Sequence, residues 1–296
     1  MEIKDWPSAG DMNPIYKRVR ELELEERLFE LNTVGLTVIE RAISEEVVDA
    51  ARRALLKVAE SRGCLESNAT SKRPDQYRGV GVLLHYLLFE DPIFERLLMH
   101  PTALALIDYL VGDSCLLSSF TGMIKGHNQE RSTLHTDNGM VPSPFPPYAQ
   151  VANATWTLTN YTREGGCLCY VPGSHLLCRH PNSDERLDED LLCPVEAPAG
   201  SLIIWNGNLW HGGLPKETAD LRLNLIMLFC RMYCITQEVY GDRVPPEVLK
   251  HHEPRFSRLM GLHVGYGWDA QGPDFSHHDR QKYLELHRAA HEHLFG

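Results

Sequence analysis

Apolar and polar positions alternate most cleanly between Leu221 and Phe229. Leu221, Leu223, Leu225, Met227 and Phe229 leave one face of an extended chain, and Arg222, Asn224, Ile226 and Leu228 leave the other. One face is thus wholly apolar, as a strand covered by helices should be. Other β-type segments fall at 115–125, 149–160, 167–171 and 200–205. Gly and Pro turns separate them and no βαβ rhythm appears, a spacing that predicts an antiparallel barrel or jelly roll.

Upstream the period becomes helical. Glu21 to Leu31 carries Leu24, Leu28 and Leu31 on one side, and Gly35 to Ile39 is a short β-type run. Ser44 is a candidate N-cap, followed by Glu45 and Glu46 and then by Val48, Ala51, Leu55 and Val58 at helical spacing. Asp91-Pro92 opens a helix, and Thr102 to Leu110 forms another that Gly112 stops. Residues 1–20, with Trp6, Pro7, Asn13 and Pro14, read as an arm, and 61–80 as a solvated loop. Past residue 235 the chain is helical and polar, with one helix beginning at Pro245-Pro246 and a last one at Asp279 to Leu294. These readings give one domain: a helical part at about 20–112, a β core at about 113–235 and a helical extension at about 236–296.

A length of 296 residues suits one large β-barrel with helices around it, or two small domains. The formal charge of −11, with no basic stripe to offset it, argues against a nucleic-acid partner. No leader and no run of about eighteen apolar residues is present, so no membrane association is expected. The eight cysteines are scattered without zinc-site spacing and read as buried reduced thiols of a cytoplasmic protein.

Candidate chemistry concentrates at Arg131-Ser132-Thr133-Leu134-His135-Thr136-Asp137-Asn138-Gly139. On an extended chain, His135 and Asp137 leave the same face with Cα atoms roughly 7 Å apart and can reach one cation. A third ligand is needed, and His211 in Leu209-Trp210-His211-Gly212-Gly213 is the best candidate. Two His and one Asp on one side of an ion form the facial triad of non-haem Fe(II) oxygenases, with positions left open for co-substrate and O₂. Arg222, across a turn from His211, could grip a carboxylate with two parallel hydrogen bonds. The proline-rich stretch from Asn138 to Tyr148 leaves the metal pair directly. It is either a connector or a rim facing a small-molecule substrate, with Asn138, Phe145 and Tyr148 as its contact residues. Histidines also gather near the C-terminus, where His287 and His291 stand one helical turn apart; a solvated helix face is favoured over a zinc pair.

His135-x-Asp137, then His211, then Arg222 eleven positions on, resembles the phytanoyl-CoA dioxygenase family of Fe(II)/2-oxoglutarate oxygenases. Trp156-Thr157-Leu158, Glu164-Gly165-Gly166-Cys167-Leu168 and Val171-Pro172-Gly173-Ser174-His175 look like its tryptophan strand and two of its turns. The likeness covers roughly residues 30 to 235. It implies a mainly β fold with flanking helices, a double-stranded β-helix of the jelly-roll, cupin-like kind. It also implies Fe(II) on His135, Asp137 and His211, with 2-oxoglutarate and O₂ as co-substrates and Arg222 on the distal carboxylate. Trp156 would line the co-substrate pocket, and Thr133 is assigned to the same pocket. Some family members carry a serine two residues after the distal histidine, where this chain has Gly213. The resemblance implies oxidation of a small organic molecule, most simply hydroxylation, with succinate and CO₂ as co-products. Desaturation, ring formation and a metal-binding jelly roll without turnover are the alternatives. A patch of Lys72, Arg73, Arg78, Lys125 and Arg131 would favour an anionic thioester substrate, and the net charge weighs against one.

Overall fold

The structure is a computed structural model, and it describes residues 12–64, 81–127, 129–139, 141–262, 268–269 and 272–273. The helical part comprises α1 (Asn13–Glu21), α2 (Glu25–Thr33), β1 (Leu36–Ile39), α3 (Glu45–Ser61), β2 (Val82–Leu84), α4 (Pro92–Leu98) and α5 (Pro101–Val111). The β core follows with β3 (Leu116–Lys125), β4 (Ser132–His135), β5 (Val151–Thr157), β6 (Leu168–Tyr170), β7 (Cys193–Pro194), β8 (Leu202–Asn206), β9 (His211–Gly213) and β10 (Arg222–Cys230). Two short helices, α6 (Pro246–Leu249) and α7 (Pro254–Leu259), come after it.

Every strand pair is antiparallel. One sheet has six strands in the order β1-β8-β5-β10-β3-β2, and the other has four in the order β4-β9-β6-β7. This is the jelly roll that the alternation and turn spacing predict. The apolar face of β10 behaves as read: Leu223, Leu225, Met227 and Phe229 join Ala152, Ala154 and Trp156 of β5 in a core covered by the helices. Burial of β8 and β10 on both faces follows, since helices cover one face of the large sheet and the small sheet covers much of the other.

Local chemistry fixes the helix ends. Asp91 accepts from Ile93 N at 3.0 Å, and Pro92 opens α4 where no amide donor is needed. Gly112 ends α5 at φ +88°, a conformation that costs a residue with a Cβ. Ser44 does precede α3 in an extended conformation, but without a side-chain cap to the backbone; its hydroxyl instead holds the Glu46 carboxyl below the ordinary range.

Two expectations change. The N-terminal arm is helical from Asn13, because Ile15 and Val19, one turn apart, bury against α5 and Arg18 reaches the buried Asp108 at 2.8 Å. The patch containing Lys125 and Arg131 is no surface patch where it is described. Lys125 is interior, and Arg131 is engaged by Glu189 at 2.8 Å. Lys72, Arg73, Arg78, most of the 61–80 loop, the 279–294 helix, His287 and His291 lie outside the described residues. Among the described residues no helix is long and apolar enough to cross a membrane.

Candidate metal centre

The site forms where the two sheets meet. Strands β4 and β9 pair so that His135 stands directly opposite His211, their ring centroids 4.4 Å apart. A bulge between Ser132 and His135 sets this register, and Asp137 follows β4, held by its own N–H to Gly207 O at 3.0 Å. The metal-competent atoms of His135, Asp137 and His211 all lie within 4.8 Å of one another.

The protonation pattern suits a cation. His135 Nδ1 lies 2.9 Å from Thr133 O, and His211 Nδ1 lies 3.0 Å from Leu209 O. A carbonyl only accepts, so each Nδ1 carries the proton and each Nε2 offers its lone pair. Burial, the largest influence, lowers the His211 pKa against the opposing pull of Asp137, which keeps the imidazole neutral and fit to ligate.

The carboxylate of Asp137 is divided between two tasks. Its Oδ2 accepts from Asn153 Nδ2 at 2.7 Å and from Trp205 Nε1 at 3.0 Å. Its Oδ1 stands 3.5 Å from His211 Nε2. Donors bound to one ion at about 2.1 Å must lie within about 4.2 Å of each other, so this spacing fits a shared metal. With Oδ2 occupied, Asp137 presents one oxygen to the centre. Neither Asn153 nor Trp205 stands out in the sequence, because both reach Asp137 only through strand pairing. The alternation of β5 and β8 could have placed them on the inner face, but not on this oxygen.

The turn motifs serve this geometry. Gly166 adopts φ +71° with Leu214 O 3.0 Å from where a Cβ would stand, so only glycine passes there. Ser174 of the Pro-Gly-Ser-His turn accepts from Trp210 N at 2.9 Å, fixing the backbone one residue before His211.

Arg222 begins β10 on the inner face and is buried. It donates to Gly166 O at 2.6 Å, lies over the Tyr161 ring at 5.1 Å, and keeps a buried Nε without a partner. Asn224 Oδ1 and Thr155 Oγ1, on the same inner face between Arg222 and the Asn153 end, are also buried without partners. A row of unpartnered polar atoms leading from a buried guanidinium toward a metal triad fits a polar, anionic co-substrate such as 2-oxoglutarate.

Trp156 does not join this site. It points to the helical side of the sheet, fully buried and edge-on to His100 at 5.0 Å, because residues 152, 154 and 156 of β5 face the helices while 153, 155 and 157 face inward. Thr133 sits at the bulge with its side chain exposed, and its carbonyl is what bears on His135. In the proline-rich stretch, Asn138 is buried and donates to Asn208 Oδ1, which leaves its own Oδ1 without a partner. Phe145 turns inward onto His180 at 4.5 Å, so it is no exposed contact; Tyr148 is exposed, under Arg231 at 4.8 Å. His180 also bridges Thr136 at 2.9 Å and Val141 O at 3.3 Å, tying this stretch to the residue between the two metal ligands.

Fold and triad together define a mononuclear metal enzyme on a double-stranded β-helix. The sequence profile of the phytanoyl-CoA dioxygenase family matches residues 31–224, and the chain belongs to that family, as a 2-oxoglutarate-dependent dioxygenase. It is similar to the dioxygenase af480 of Aspergillus fumigatus, at 30% identity over 228 residues, 72% of this chain and 73% of that one. It is also similar to the uncharacterized protein Rv1501 of Mycobacterium tuberculosis, at 26% identity over 78% of this chain and 84% of that one. Among solved structures, HygX from Streptomyces hygroscopicus with nickel and 2-oxoglutarate bound shares the fold. The TM-score is 0.58 at 20% identity, covering 72% of this chain and 88% of that one.

Proposed function

We propose that this dioxygenase hydroxylates a small organic molecule, with Fe(II) on His135, Asp137 and His211 and 2-oxoglutarate reaching Arg222 through its distal carboxylate. The observation that carries the reading is the pairing of a three-donor triad with a buried arginine whose Nε has no partner. With both groups bound, the centre supplies O₂-dependent oxidation coupled to conversion of 2-oxoglutarate into succinate and CO₂. The chain does the rest. Carbonyls hold the Nδ1 side of both imidazoles, which turns each Nε2 toward the centre, and Asn153 and Trp205 keep Asp137 on one oxygen. Buried Trp205, 5.2 Å from the His211 ring, walls the centre from bulk water on one side. An intact Asp137 favours oxygenation over halide transfer, since its carboxylate occupies the position a halide would need. The solved HygX complex with 2-oxoglutarate, on the same fold, supports the co-substrate assignment.

The test loads the protein with Fe(II), ascorbate and 2-oxoglutarate in air, adds a library of small molecules, and follows succinate and product mass. Succinate formation coupled to gain of one oxygen is expected. Failure of the iron-loaded protein to bind 2-oxoglutarate anaerobically, with no succinate above a His211→Ala control, would overturn the reading. A product lighter by two hydrogens would replace hydroxylation by desaturation.

A further inference from the structure

Lys125 and Arg222 are register partners on neighbouring antiparallel strands, so their side chains share the inner face. Both are buried, at 3% and 8% exposure. Like charges placed opposite each other destabilise a sheet, and burial removes the water that would screen them. Among the described residues neither pairs with a carboxylate. Lys125 Nζ donates to Leu214 O, and Arg222 donates to Gly166 O. Neighbouring acids do not fill the gap. Cys167 and Cys169 are pushed up to about 11 by burial, and burial likewise raises Tyr161, so all three stay uncharged beside the two cations. The contrast with Lys216 is direct: that lysine is as deeply buried, but it holds Asp220 at 2.8 Å.

A second observation places the ammonium beside the metal strand. A side chain on Gly213 would place its Cβ 3.7 Å from Lys125 Nζ. Gly213 is two residues beyond His211 on β9, so the ammonium lies against the metal strand, within contact distance of the glycine's open side. Burial, then the neighbouring Arg222, lowers the Lys125 pKa to about 8, the direction expected of a cation awaiting a counter-charge.

We propose that Lys125 is a second co-substrate-binding residue, which together with Arg222 grips the distal carboxylate of 2-oxoglutarate, one cation to each oxygen. This rests on the 2-oxoglutarate reading above and deepens it. The carboxylate would bring the anion that the pair lacks, and the unpartnered Arg222 Nε gives it a donor.

The test measures anaerobic binding by calorimetry to the Fe(II)-loaded protein, using 2-oxoglutarate and 2-oxopentanoate, which has a methyl group in place of the distal carboxylate. Lys125→Met should weaken 2-oxoglutarate by about ten- to a hundredfold, the value of one charge-assisted contact. It should leave the weaker 2-oxopentanoate binding unchanged, because that ligand has nothing for Lys125 to hold. Lys125→Gln, also uncharged, repeats the measurement should the methionine variant fail to fold. Unchanged 2-oxoglutarate affinity in a folded variant would overturn the proposal, as would an equal loss for both ligands, which would mark a structural lysine. Absence of 2-oxoglutarate binding by the unmodified protein would instead overturn the functional reading itself.

Discussion

Two buried charge clusters flank the large sheet, and they differ in one respect. On the helical side, Asp108 of α5 is fully buried between Arg18 of α1 at 2.8 Å and Arg255 of α7 at 2.5 Å. Burial pushes the Asp108 carboxyl up and the two guanidiniums oppose it. That cluster is internally paired and joins three helices. On the inner side, Lys125 and Arg222 have like charge and no acid partner among the described residues. A cluster whose carboxylate already meets both guanidiniums holds the fold and needs no outside anion, even though Arg255 Nε has no partner. An unpaired one is costly to the protein alone and becomes favourable only when an anion enters. The same amino-acid types therefore read as structure in one place and as a binding site in the other.

Breaking the metal triad should give the largest effect. Ala at His135, Asp137 or His211 removes one of three ligands, and turnover should fall to background while far-UV circular dichroism stays that of the parent. Near-normal activity of His211→Ala would remove that residue from the centre.

Next comes the paired cluster. Asp108→Asn leaves the buried Arg255 and the part-buried Arg18 without their anion, and unfolding in urea should report a loss of about 3–5 kcal/mol. Affinity for 2-oxoglutarate in the folded protein should not move. A shift in that affinity comparable to the stability loss would mean that the two clusters are coupled across the sheet.

Asn153→Ala sharpens the comparison from the metal side. It takes one of two donors from Asp137 Oδ2, and loss of such a partner costs about 10–100-fold in metal affinity. Competition with a chelator would measure it; an unchanged affinity would mean that Trp205 alone suffices to aim the carboxylate.

The smallest effect is expected at the rim. Tyr148 is exposed and held by Arg231, an interaction worth about 0.5–1 kcal/mol. Tyr148→Ala should lower the ratio of oxidised substrate to succinate by no more than about fivefold. An unchanged ratio would reduce the 138–148 stretch to a connector.

What the sequence determined by itself was whatever depends on neighbours along the chain. Alternation in 221–229 set which face of β10 meets the helices, because side-chain direction in a strand has period two. Spacing and family likeness together brought His135, Asp137, His211 and Arg222 to notice, and the turn glycines and the Pro-Gly-Ser-His block fell where the backbone needs them. The same alternation, counted along β5, could have warned that Trp156 and the inward Asn153 face opposite ways. The tertiary structure alone decided matters of long-range pairing. It turned an apparent N-terminal arm into α1 by offering Asp108 and an apolar surface to dock on. It aimed Asn153 and Trp205 at one oxygen of Asp137, from positions 16 and 68 residues away in the chain. It also carried Lys125, which composition would place at the surface, to a position opposite Arg222. Local periodicity specifies direction within an element, whereas the partner across a sheet is fixed by register, and register depends on the bulge, the turns and the cores of two sheets at once.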